Sequence, residues 1–255
     1  MPAVVACFKW VVDEAYIRRG PSGDLDFSSV DYKIGDYDRN AIEEAARLKE
    51  ALGAEAVAVT VGVPEAAKGV KDALSRGADR ACFAVDDSFG NLDSYETAFI
   101  LSQVISTKMD KYKLIICGEG SSDLYAQQVG PRLAEMLGIP CVSFVQKVSV
   151  ANERLLAERR VDEGVEVVEV PFPALITVRP DINVPRIPGV KDTLMAGKKP
   201  SVRITKDELP SHGGPLLRTI SVEASKMERI CERFGTDKAE IARFVWSLRK
   251  SGVIE

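Results

Sequence analysis

The densest set of groups able to hold a ligand lies in Gly118-Glu-Gly-Ser-Ser-Asp-Leu-Tyr-Ala-Gln-Gln-Val-Gly130-Pro131. It follows an apolar run and leads into a helical pattern. Its glycines allow a backbone to approach a ligand closely, and loop amides with a helix N-terminus favour an anion. Ser121 and Ser122 add hydroxyl donors, and Gln127 and Gln128 add amide donors. The chemistry suggested is capture of a nucleotide phosphate; the alternative is an ordinary strand-to-helix turn. Generic fingerprints do not decide between them. A GxGxxG loop would need glycine at 123, where aspartate stands, and the chain has no GxxxxGK[ST]. Asp123 either caps the following helix or meets a ribose hydroxyl. With no carboxylate partner at an acid–base spacing, capping is the better reading.

Few other groups could make or break bonds. The only histidine is His212, beside Gly213 and Gly214, so triads, HExxH zinc sites and multi-histidine iron sites have no basis. The five cysteines (Cys7, Cys82, Cys117, Cys141, Cys231) are odd in number and contain no CxxC, which speaks against zinc and thioredoxin-type chemistry. Cys7, Cys82 and Cys117 lie in apolar runs and read as small core residues of a reduced, cytoplasmic protein. Net charge is −4, without the basic balance of a nucleic-acid binder. One basic stretch, 183–206, carries Arg186, Lys191, Lys198, Lys199, Arg203 and Lys206 against Asp192 alone. It is either a solvated loop or a docking surface. No apolar run reaches membrane-spanning length and no secretory leader is seen, so direct membrane insertion is not expected.

The elements that must position these groups alternate between strand and helix. Apolar runs at Ala3–Phe8, Ala56–Val61, Arg80–Val85, Leu114–Cys117 and Cys141–Val150 read as buried strands. Helical patterns run from Asn40 to Leu52, Pro64 to Arg76, Asp93 to Met109 and Ala126 to Leu137. Asp38 or Asn40 serves as cap for the first, and Gly53, Gly77 and Gly138 are stops. Such alternation implies a doubly wound, mostly parallel α/β sheet, Rossmann-like and suited to nucleotides, with ligands at the carboxyl ends of the strands. After 150 the pattern changes. Arg154–Val161 and Val165–Val170 flank Asp162-Glu163-Gly164 as a hairpin, and Pro173–Val178 is a further strand. Residues 180–218 are too long and too rich in Pro, Gly and Lys for a simple connection. Ser225–Leu248 reads as a tail helix. The expected division is an α/β nucleotide-binding domain at 1–180, including the hairpin at 154–170, and a segment at 181–255 made of a loop, an extended arm and a helix that docks on another chain.

Four stretches carry a family resemblance across almost the whole chain. They are Cys7-Phe-Lys9-Trp-Val-Val-Asp13; Asp38-Arg-Asn-Ala-Ile-Glu-Glu-Ala-Ala-Arg-Leu-Lys49; Ala157-Glu-Arg-Arg-Val-Asp-Glu-Gly-Val-Glu-Val-Val168 with Pro173-Ala-Leu-Ile-Thr177; and the loop Gly118–Gly130 with Asp181-Ile-Asn-Val-Pro-Arg-Ile-Pro188 and Gly197-Lys-Lys-Pro200. Together they resemble the β subunit of electron transfer flavoproteins, and within that family the Fix-type branch. The resemblance implies an αβ heterodimer and an electron carrier rather than a self-standing enzyme. FAD lies mainly in the α subunit, and AMP or a second FAD in this subunit. Electrons come from acyl-CoA-type dehydrogenases and pass to a quinone reductase or a ferredoxin- or flavodoxin-type acceptor, with or without flavin-based bifurcation and NADH oxidation. Flavin would do the redox chemistry, as suits a chain with one histidine.

Carried over residue by residue, the resemblance puts the phosphate loop on Asp123 to Gly130, with Gln127, Gln128, Val129 and Gly130 nearest the phosphate and Gly118 at the head of the loop. The adenine side falls on Cys7, Lys9, Gly35, Val61 and Gly62. The dehydrogenase recognition loop falls on 184–196, with Val190 as apolar anchor and Arg186 and Lys191 in its basic rim. Leu124 and Tyr125 depart from the small or acidic residues usual after the aspartate, and Gly35-Asp36 replaces the usual Asn-Pro. Two other readings stay open: a self-contained adenine-nucleotide enzyme or sensor on the same fold, and a structural partner with a vestigial pocket.

Overall fold

Helix and strand alternate along most of the chain in a computed structural model that describes residues 1–20, 24–211, 213–222 and 231–254. The elements are β1 (Ala3–Cys7), β2 (Trp10–Val12), the two-residue β3 (Arg18–Arg19) and β4 (Leu25–Asp26), β5 (Tyr32–Ile34), α1 (Asp36–Ala51), β6 (Glu55–Gly62), α2 (Ala66–Ser75), β7 (Arg80–Val85), α3 (Ser94–Lys108), β8 (Tyr112–Gly118), α4 (Val129–Leu137), β9 (Cys141–Ala151), β10 (Arg154–Val161), β11 (Gly164–Pro171), β12 (Ala174–Val178), α5 (Val190–Ala196), β13 (Ser201–Ile204) and α6 (Lys238–Lys250). Nine strands form one sheet in the order β11-β10-β9-β12-β8-β1-β6-β7-β13. Pairing is parallel from β9 to β13, and β9-β10-β11 is antiparallel.

The central strands are apolar on both faces because both faces are covered. In β1, Val4 and Ala6 join the core with α1 and α2, while Ala3, Val5 and Cys7 join the core with α3 and α4. Ile115 and Ile116 of β8 divide in the same way. Each such fully buried aliphatic contributes about 1.5–3 kcal/mol. This is a doubly wound, mostly parallel α/β fold. The chain moves from β1 through α1 to β6 and through α2 to β7, then crosses by α3 to β8 on the other side of β1. The order therefore reverses between β1 and β8, which opens a crevice at their carboxyl ends.

Several expectations change. Asp38 and Asn40 do not cap α1: the helix begins at Asp36 behind Gly35, and both residues are buried within it. Helix α4 begins at Val129 rather than Ala126, because Tyr125 (φ 47°) and Gln127 (φ 58°) take the left-handed conformation that interrupts a helix. The segment after 180 is not one long arm. It forms α5, which packs on α2, and β13, which pairs in parallel with β7 and extends the sheet. The division expected at 180–181 falls inside the larger compact unit, Met1–Arg18 with Asp26–Ser221. A second unit comprises Arg19–Leu25 and Val222–Glu255. Within it α6 starts at Lys238, capped by the Asp237 carboxylate, and Phe244 meets the Phe234 ring edge-on at 5.2 Å. Residues 231–237 are not helical, and the earlier part of the expected tail helix (Ser225–Ile230) lies outside the described residues, as does His212. Among the described residues no helix is long and apolar enough to cross a membrane, and no His/Cys/Asp/Glu cluster could hold a metal.

Candidate functional site

The crevice is built from the exits of β1 and β8 and the start of α1. Phe8 donates its N–H to the Val59 carbonyl, and its own carbonyl accepts the Thr60 hydroxyl at 2.6 Å, which fixes the turn after β1 against β6. The turn then delivers Lys9 outward. Its ammonium meets Asp123 at 2.5 Å, from the loop after β8. Asp123 therefore pairs with Lys9 across the crevice; its carboxylate does not cap α4, whose first residue has no side-chain cap. Burial raises the Asp123 carboxyl, but Lys9 and its hydrogen bonds outweigh that and hold it below the usual range. A second strap runs beside this one, where the Asp36 N–H donates to the Ser122 hydroxyl at 2.9 Å.

Asp38 lies beneath. Its carboxylate accepts the Lys9 N–H at 2.8 Å and also receives the Gly118 N–H, so one side chain from α1 ties the exits of β1 and β8 together. Burial drives its pKa up to about 7, against the pull of those two amides. Gly35 and Gly118 are required here because of protein packing: a Cβ on either would stand within 3 Å of an Asp38 oxygen. Gly130 is similar. Its Cβ would fall 2.5 Å from the Thr177 methyl on β12, so glycine lets α4 lie close on the sheet. These glycines were expected to bring backbone close to a ligand; they bring backbone close to backbone and side chains.

The loop head carries Glu119, 6% exposed. One of its oxygens accepts the Tyr125 hydroxyl at 2.7 Å, and the other is buried without a hydrogen-bond partner among the described residues. That bond raises the Tyr125 hydroxyl to about 12. The Tyr125 ring packs on Tyr37 at 5.4 Å. Gln128, placed before α4, accepts from Ser94 and Arg132 with its side-chain oxygen. The N-terminus of α4 has no side-chain cap, which is the arrangement that receives an anion.

The sequence-predicted residues divide into three groups. Cys7, Lys9, Gly35, Gly118 and Asp123 meet at the crevice. Cys7 is itself buried, and its thiol contact together with burial holds Cys117 well above an ordinary thiol value, so Cys117 is not a reactive sulfur. Gln127, Gln128, Val129 and Gly130 form the approach to α4. Val61 and Gly62 end β6, next to β1, where the Gly62 carbonyl accepts the Asp86 N–H. Val190 and Lys191 open α5, exposed, in a different part of the fold. Arg186 turns back. Its guanidinium grips the buried Glu43 of α1 at 2.7 Å, and its N–H adds a third bond to the same carboxylate. Beside it the Asn40 amide donates to the Pro180 and Asn183 carbonyls, and the Asn183 amide donates to Glu44. Sequence reasoning named Ser122 as a ligand donor and Asp38 as a helix cap and so missed the ties they make within the protein, and it missed Glu119 and this asparagine–glutamate clasp altogether. The signal available was the pair Asn40 and Glu43–Glu44, polar residues placed on the apolar stripe of a helix.

A family profile described as "Electron transfer flavoprotein domain" matches residues 24–209. That span holds α1, the crevice loop, the hairpin and β13, the parts that position every residue above except those of the β1 exit.

Proposed function

The chain belongs to the electron transfer flavoprotein family, and from that premise we propose that it is the β-type subunit, Fix-like, of a heterodimeric electron carrier. A nucleotide, AMP or a second FAD, occupies the crevice between β1 and β8. The observation that supports this most directly is the conjunction at that crevice: an α4 N-terminus with no side-chain cap, Lys9, and a buried Glu119 oxygen with no partner among the described residues. An uncapped helix start accepts phosphate, and an orphaned carboxylate oxygen accepts a ligand hydroxyl or amine. The residues present therefore fit an adenine nucleotide. The α4 amides and Lys9 hold its phosphate end, Val61 and Gly62 border its adenine end, and Glu119 receives a donor.

FAD in the assembled carrier supplies reversible electron chemistry, and this chain supplies shape and charge. The incoming phosphate takes over part of the Lys9 charge now given to Asp123, so the strap across the crevice is exchanged for a strap to ligand. Electrons reach the carrier from an acyl-CoA-type dehydrogenase docked at Val190 and Lys191 and leave to a quinone reductase or a ferredoxin- or flavodoxin-type acceptor.

Co-expression with an α-type subunit, followed by extraction and counting of cofactors, tests the proposal. A yellow heterodimer with one flavin and one AMP identifies a simple carrier; two flavins identify a bifurcating one. A colourless product, or nucleotide turnover by this chain alone, would displace the reading in favour of a self-contained nucleotide protein.

A further inference from the structure

Where α5 packs on α2, two hollows of about 270 and 380 Å³ lie side by side, and Ser75 lines both. Lys49, Arg186, Lys199, Asp192 and Met195 line the first; Lys68, Lys71 and Asp72 line the second. Three of these charges are already paired with an opposite one: Lys49 with Asp79, Arg186 with Glu43, and Asp72 with Arg76. Lys68, Lys71 and Lys199 form no ion pair among the described residues, and Asp192 accepts only the Gly189 N–H. Three cations against one carboxylate leave an excess of two positive charges, the complement of a phosphate group near neutral pH. Donors are also spare. Lys49 and Lys199 each give two N–H groups to the protein and keep a third. Arg186 gives Nε and Nη2 to Glu43, while its Nη1 bonds no described residue. A Cβ on Gly77 would stand 3.0 Å from that nitrogen, so glycine keeps the space beside it clear. The carbonyl end of α2, which would repel an anion, is covered by the Lys199 ammonium.

We propose that the hollow between α2 and α5 binds a phosphate group, either the free anion or the phosphate of a small phosphorylated molecule, on the spare donors of Lys49, Arg186 and Lys199, with Lys68 and Lys71 meeting any further negative charge. The site shares no residue with the crevice between β1 and β8 and does not depend on the carrier reading. Burial lowers the Lys199 pKa; Lys49 and Arg186 push the same way, and Asp79 and Asp192 oppose them. A half-buried ammonium beside two other cations gains when an anion arrives. Because Lys49 lies on α1 while Arg186 and Lys199 flank α5, a bound anion ties α5 to the body of the fold.

Calorimetric titration of the full chain with inorganic phosphate, at an ionic strength held constant with sodium chloride, tests the site. The background is Lys9→Met, which removes the cation of the crevice, so binding there does not contribute. Phosphate should still bind, with a dissociation constant of about 1 mM or tighter. Met195→Glu sets a carboxylate in the first hollow and Lys71→Glu reverses a charge in the second; both side chains are exposed, so the fold should hold. Met195→Glu should weaken phosphate binding by about tenfold or more. Saturating phosphate should also slow hydrogen exchange of the α5 amides by about tenfold, and should not do so in Met195→Glu. Pyrophosphate separates the two sources of the ligand. Tighter binding than phosphate, lost in Lys71→Glu, supports the site as one for a phosphorylated molecule; equal binding of the two supports it as one for the free anion. A Lys9→Met chain that binds no phosphate, or binding that Met195→Glu leaves unchanged, would overturn the site.

Discussion

Among the described residues no cation bonds the Asp38 oxygens; backbone amides of Lys9 and Gly118 meet them instead. Two amides do not offset full burial, hence a folded pKa of about 7 against 3.8 for an ordinary aspartate. The native state then holds a proton that the unfolded chain has already released. The contribution of Asp38 to stability is present in acid, falls as pH rises from the ordinary value, and is lost once pH passes about 7. Glu43 works the other way: burial raises its carboxyl, but Arg186 and Arg47 pull it below the usual range, so its contribution is lost only in stronger acid. In Asp38→Asn the fall in melting temperature between about pH 5 and pH 8 should flatten relative to wild type. The variant should also pay about 1–3 kcal/mol where an amide group now faces an N–H. An unchanged pH slope would remove Asp38 as the titrating group. None of this was legible in the sequence. Aspartate ahead of an apolar stripe reads as a cap, and only the approach of β1 and β8 to the same helical turn shows otherwise.

Among the elements, strands were the most legible, because burial on both faces leaves uninterrupted apolar runs such as AVVAC in β1 and RACFAV in β7. Helix α3 was equally plain, since Asp93 and Glu96 form a capping box. The region after 180 was not. Strand β13 has only four residues, SVRI, of which three are exposed, so no local pattern distinguishes it from loop. Its placement comes from side chains reaching back over a long sequence separation. The Lys199 ammonium donates to the Leu74 and Ala78 carbonyls at 2.8 and 2.7 Å, satisfying groups at the end of α2 and just beyond it. The Ala81 N–H then donates to the Pro200 carbonyl, and the parallel register with β7 follows. Lys199→Met keeps the stem and removes both bonds. The protein should lose about 1.5–3 kcal/mol in denaturant unfolding, with amides of β13 exchanging faster and those of β1 unaffected. If β13 stays protected, its pairing with β7 holds it without help from Lys199.

At the scale of the whole molecule, the charge pattern differs from the one that sequence counting suggests. The basic stretch at 183–206 looked like a rim around an apolar anchor, yet Arg186 is committed to Glu43 and Lys199 to carbonyls. What the stretch leaves outward is Lys191, Lys198, Arg203 and Lys206, with the apolar Ile187, Val190 (80% exposed) and Leu194. A surface of this make-up binds through its apolar centre, and its charges act on encounter more than on strength. If the proposed docking holds, Val190→Asp should slow electron delivery from an acyl-CoA-type dehydrogenase to the flavin of the proposed heterodimer by about tenfold or more. Because Val190 opens an exposed helix far in the chain from the crevice loops, flavin content should match wild type and stability should change by about 0.5 kcal/mol or less. Raising salt should slow wild-type delivery only modestly, since two of the six basic residues of the stretch are already committed within the protein. Stopped-flow reduction of the heterodimer by the dehydrogenase measures both effects. An unaltered rate in Val190→Asp would move the docking surface elsewhere, and the first place to look would be the apolar side chains that α6 leaves exposed, Ile241, Phe244 and Trp246.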